Sequence, residues 1–129
     1  MNYYFNKTLE NVSFEEVLDR VSSELQKEGF GVLTEIDVRA TFKKKLDIDF
    51  RNYRILGACN PHFALKALEA EDKIGTMLPC NVIVQQTSDT QIEIAAVDPV
   101  ASMLAIENIE MAELAKEIRS KLERVITNS

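Results

Sequence analysis

Two cysteine–asparagine dipeptides are the residues best suited to chemistry: Cys59-Asn60 stands before Pro61, and Cys80-Asn81 follows Pro79. The pattern around each places it at the end of a strand. Thiolate sulfur is both a nucleophile and a metal ligand, and His62, three residues after Cys59, is the chain's one histidine. With Glu35, Asp37 or Asp98 these groups could form a zinc site. The cysteines nevertheless lack the short paired spacing of structural zinc motifs. Thiol catalysis is a second possibility, because Cys59 directly precedes a helix whose N-terminal dipole favours a thiolate, with His62 as base. No third member and no nucleophile-elbow signature accompanies them. The plainer reading makes both cysteines small buried hydrophobes and His62 an exposed first-turn residue.

Glu35 and Asp37 lie two apart on a predicted strand, so they share a face and their repulsion could suit acid–base work; a solvated strand edge has the same pattern. Arg39, Lys43, Lys44, Lys45, Arg51 and Arg54 gather positive charge mid-chain, either for an anionic ligand or acidic partner or as the wet face of a helix. The glycines Gly29, Gly31, Gly57 and Gly75 have no phosphate-loop spacing.

Around these residues the chain has 15 Lys and Arg against 21 Asp and Glu, a formal charge of −6. That balance argues against nucleic acid and against an anionic membrane surface, both of which demand clustered basic residues. The 129 residues, 46% hydrophobic, suit one domain, 1–129, with a single core. No apolar run has the length of a spanning helix, and the start Met1-Asn2-Tyr3-Tyr4-Phe5 is not that of a secretory signal. A cytoplasmic location with free thiols is the expectation.

The elements that must position the cysteines are readable in order. Asn2 to Leu9 alternates as a strand. Ser13 and Glu16 form a capping box, with a Val12–Val17 staple, ahead of a helix with Phe14, Val17, Leu18, Val21 and Leu25 on one stripe; Gly29 ends it. Gly31 to Val38 reads as a strand with Val32, Thr34, Ile36 and Val38 on one face and Leu33, Glu35 and Asp37 on the other. Asp37 caps a short helix through Lys45. Tyr53 to Cys59 is a strand, and Asn60-Pro61 opens a helix to about Ala70. Cys80 to Gln86 and Gln91 to Val97 form a hairpin, Asp98-Pro99 breaks it, and a long helix starts near Asn108. The predicted fold is α+β in two layers, a mostly antiparallel sheet with two long helices on one face. The other face must then be solvated, covered by the insertions, or buried against a second copy.

Four motifs in order, Gly29-Phe30-Gly31-Val32-Leu33-Thr34-Glu35-Ile36-Asp37, Tyr53-Arg54-Ile55-Leu56-Gly57-Ala58-Cys59-Asn60-Pro61, Leu78-Pro79-Cys80-Asn81-Val82 and Asp98-Pro99, resemble those of the bacterial and archaeal family called domain of unknown function 302. The resemblance spans nearly the whole chain. It implies a fold of the TATA-binding-protein (TBP-like) class, β-α-β4-α, and a homodimer, and it supplies no activity and no cofactor. Its motif positions Glu35, Asp37, Cys59, Asn60, Cys80, Asn81 and Asp98 become the candidate ligand site, provided that the strand ends converge. The function expected is that of a non-catalytic homodimeric domain binding a small molecule or ion there; the alternative is a thiol- or metal-dependent enzyme using Cys59 or Cys80 with His62.

Overall fold

In the computed structural model, which describes residues 2–129, five strands form one sheet: β1 (Tyr4–Glu10), β2 (Gly31–Asp37), β3 (Tyr53–Cys59), β4 (Cys80–Gln86) and β5 (Gln91–Val97). Their order is β1-β5-β4-β3-β2 and every pairing is antiparallel. The helices are α1 (Phe14–Lys27), α2 (Val38–Leu46), α3 (Pro61–Ala70), α4 (Pro99–Ser102) and α5 (Ile109–Asn128), and a 3₁₀ turn spans Asp72–Met77.

Side-chain chemistry at the helix ends sets most boundaries. Ser13 Oγ accepts from the Glu16 N–H at 3.1 Å, Asn60 Oδ1 from Phe63 N–H at 3.3 Å and Asn108 Oδ1 from Met111 N–H at 3.2 Å, each satisfying an orphan donor of the first turn. The expected capping box is half made, because Glu16 turns outward to Arg20 at 3.2 Å. Gly29 adopts φ +85, and the Phe30 N–H reaches back to the Leu25 carbonyl at 2.9 Å, the left-handed exit expected of glycine. The first strand begins and ends later than its alternation suggests, at Tyr4 and Glu10. Between β5 and α5 the Asp98-Pro99 break starts the short helix α4.

One face of the sheet carries Leu56, Ala58, Val82, Val84, Ile92, Ile94 and Ala96, all buried, against Val17, Val21 and Leu25 of α1 and Ile118, Leu122 and Val125 of α5. Opposite it, Asn81, Ile83, Gln85, Glu93 and Ala95 floor an open cleft of about 400 Å³ that no long helix covers. A bulge changes the expected faces of β2. Val32 pairs with Ala58 and Thr34 with Gly57, so Leu33 is the extra residue; Val32 joins Glu35 and Asp37 on the helix side, while Thr34 and Ile36 face the open side. Leu33 is left 69% exposed at the sheet edge.

Candidate functional site

The ladders bring one set of strand ends together. Gly31 opposes Cys59, Ala58 opposes Cys80, and Val82 opposes Ala96, so β2 and β4 begin where β3 and β5 end. Because Cys80 opposes Ala58, the residue next to Cys59, the two Cα atoms are on adjacent rungs, about 6 Å apart, and strand alternation directs their side chains to opposite faces of the sheet. Each cysteine contributes to one groove of about 290 Å³ bounded by Phe30, Leu33, Phe63, Ala64, Leu68, Leu78 and Pro79, with Asn60 at its rim. Cys80 is buried and Cys59 half-buried, and both are free thiols.

Asn60 is occupied as the cap of α3, with its Nδ2 beside Gly29. Asn81 shares this end of the sheet but faces the other way, into the open cleft. Asp98 is also at this end, 5% exposed, with its charge already engaged: Oδ1 accepts from the Val100 N–H at 3.0 Å and Oδ2 is 3.2 Å from Arg119 Nε on α5. It pins the end of β5 to the terminal helix.

Glu35 and Asp37 are not part of this convergence. Glu35 is four residues along β2 from Gly31, about 13 Å up the strand, and both carboxylates meet Arg54, at 3.0 and 3.3 Å; Asp37 also accepts from the Ala40 N–H at 2.9 Å to cap α2. Cross-strand charge pairing therefore accounts for the acidic pair. His62 is likewise elsewhere, lining a small pocket between α3 and α5 with Lys66, Glu117 and Lys121. The basic stretch is partly matched within the chain, Lys43 to Asp47 and Asp49 at 3.1 and 3.5 Å and Arg54 as above. Among the described residues no group of three or more His, Cys, Asp or Glu is arranged to hold a metal. The zinc set of cysteines, His62 and a carboxylate is thus not assembled.

Sequence reasoning missed a polar row on the open face. Arg51 Nε donates to Gln85 Oε1 at 2.8 Å, Gln85 Nε2 to Glu93 Oε1 at 2.7 Å, and Asn6 Nδ2 to Glu93 Oε2 at 3.0 Å. Only the register sets these residues side by side.

The family model described as "Domain of unknown function DUF302" matches residues 5–129. The chain belongs to the DUF302 family. It is also similar to a solved structure, the crystal structure of an uncharacterized conserved DUF302 protein from Bacillus stearothermophilus, with a TM-score of 0.88 and 26% identity over 98% of this chain and 97% of that one. No curated protein matches the sequence. The DUF302 motifs quoted above thus divide in space: the Cys-Asn dipeptides and Asp98 share a sheet end, while Glu35 and Asp37 brace β2 against β3.

Within this DUF302 fold burial pushes the Cys80 thiol up to about 11, and a charge on Cys59 adds to the rise. The sign follows from linkage. Above an ordinary thiol pKa the unfolded chain loses the Cys80 proton while the folded chain keeps it, so stability present below about pH 9 falls as pH climbs toward 11. Two pH units correspond to about 2.7 kcal/mol. Urea denaturation of the reduced, metal-free chain at pH 8 and pH 11 is expected to show this loss, and Cys80→Ala is expected to remove most of the difference relative to wild type. An equal alkaline loss in the variant would assign it to other groups. No helix of the described residues is long and apolar enough to cross a membrane.

Proposed function

We propose that this chain is a non-catalytic binding domain, working as a homodimer in the cytoplasm, that holds a small ligand or ion in the groove between Cys59 and Cys80. The observation that carries the reading is the convergence of both motif cysteines on one largely apolar recess at the strand ends. Such a concave site with few polar groups is the usual form of a small-ligand pocket. His62, the base that a thiol enzyme would require, belongs to the separate pocket against α5, and this favours binding over thiol catalysis. A reducing compartment suits both free thiols.

The dimer rests on the open sheet face, where Ile83, Ala95 and Val97 are half-buried along the cleft and Tyr3 and Tyr4 stack edge to face at 4.9 Å at its rim. An apolar sheet face beside a polar row is a natural self-complementary surface. Sedimentation velocity at micromolar concentration should give a dimer for wild type and a monomer for Ile83→Asp, with the far-UV spectrum retained. A monomeric wild type would remove the dimer from the proposal. The ligand half is tested by native mass spectrometry of protein purified without chelator. A bound species in wild type that is lost in the groove-filling Ala64→Phe variant supports it, and an empty wild-type chain counts against it.

A further inference from the structure

We propose that the groove takes the apolar tail of a medium-chain carboxylate, whose anionic head lies in the adjoining basic pocket between α3 and α5. This occupant presupposes that the groove is the binding site and adds its chemical class. The walls formed by Phe30, Leu33, Phe63, Leu68, Leu78 and Pro79 are hydrocarbon, and Leu33 and Leu68 are exposed where they border the groove. A polar group set among them would lose its water without gaining a partner, whereas a hydrocarbon chain would take the leucines out of water together with itself. At about 290 Å³ the groove is at the small end of ligand pockets, which limits the tail to medium length.

The head group has a place at the start of α3. Asn60 and Phe63 line both the groove and the pocket of about 180 Å³ against α5, so the two recesses meet at the first turn of that helix. Residues four apart share a helix flank, and α3 turns Ala64 and Leu68 to the groove but His62 and Lys66 to the pocket, where Lys121 of α5 joins them. None of these three basic side chains forms an ion pair among the described residues. Glu117 is the one carboxylate lining the pocket, so two lysines leave a single surplus positive charge, which matches a monoanion. Asn60 accepts from the Phe63 N–H through Oδ1 at 3.3 Å and presents its Nδ2 as a further donor. On a chain of net charge −6, such a local surplus is what would draw an anion to this end of the sheet.

The test is displacement of the neutral fluorophore N-phenyl-1-naphthylamine by hexanoate, octanoate and decanoate below micelle-forming concentrations. Affinity is expected to rise about fourfold per added methylene until the groove is full. Decanoate should bind about fivefold more tightly than decanol at low salt, and added salt should shrink that preference. Lys66→Gln/Lys121→Gln should bring decanoate down to the level of decanol, leave decanol unchanged and retain the wild-type far-UV spectrum. Equal affinities for decanoate and decanol in wild type, or a preference that survives in the double variant, overturn the head-group site, and affinity that does not grow with chain length overturns the tail. If the carboxylate fails in these ways while the fluorophore still enters the groove and is excluded by Ala64→Phe, the ligand class falls and the binding site stands. If neither binds to folded wild type, both readings fall together.

Discussion

Replacing Gly57 by alanine should cost about 1–3 kcal/mol of stability and weaken the thiol groove as well, although the change adds a single methyl group. Gly57 is in the middle of β3, paired to Thr34 on one side and Asn81 on the other. A Cβ there would collide with Thr34 Oγ1 and sit 2.8 Å from Pro79 Cγ. Thr34 could yield by rotating, but the proline ring is rigid and also forms a wall of the groove that holds Cys59 and Cys80. Overpacking at this point should therefore shift the wall and the strand together. Urea denaturation measures the loss. A Thr34→Ala change in the Gly57→Ala background should recover part of it, because it removes one of the two colliding groups, and a simple sum of the two single effects would show that the clash lies elsewhere.

The largest loss is expected deep in the core. Leu122 of α5 has no exposed surface, and its neighbours on the helix, Ile118 and Val125, are at most 1% exposed against the sheet and α1. Leu122→Ala should cost about 3–5 kcal/mol, the lost transfer free energy plus that of a cavity which packed neighbours cannot collapse to fill. Ile109→Ala, in the first turn of the same helix and 85% exposed, serves as control and should change the denaturation midpoint little. Since a domain of this size has about 5–15 kcal/mol in total, the first variant is expected to lose a large share of it and the second almost none. Similar midpoints for the two would show that α5 is not the half of the core it is taken to be.

What could be read from the sequence was mostly local. Ser13, Asn60 and Asn108 cap helices with their own side chains, and Gly29 carries the left-handed exit, so those boundaries follow from residues within one turn of each other. The hairpin of Cys80–Gln86 and Gln91–Val97 was likewise legible, two short runs joined by a few polar residues. Pairing was not legible. The Leu33 bulge depends on how β2 meets β3, and it exchanged the predicted faces of Val32 relative to Thr34 and Ile36. Arg54 is 17 residues beyond Asp37 in sequence yet bonds both Glu35 and Asp37, which turns a candidate carboxylate pair into a cross-strand brace.

The candidate site divides along the same line. Proximity of Cys59 and Cys80 needed the register of β3 and β4, which no spacing in the chain reveals. His62 stands near Cys59 in sequence, but the start of α3 turns it toward Glu117 and Lys121 of α5. Walls such as Leu33 and Leu68 are ordinary leucines until the fold leaves them bordering the same recess.

The central claim is that this recess between the two cysteines is a binding site, and titration with the neutral fluorophore N-phenyl-1-naphthylamine tests it most directly. The account predicts saturable binding of one probe per chain with enhanced, blue-shifted emission, abolished in Ala64→Phe and unchanged in Ile83→Asp, whose substitution lies on the opposite sheet face. Binding that survives Ala64→Phe but disappears with Ile83→Asp would place the site on the open face and contradict the account.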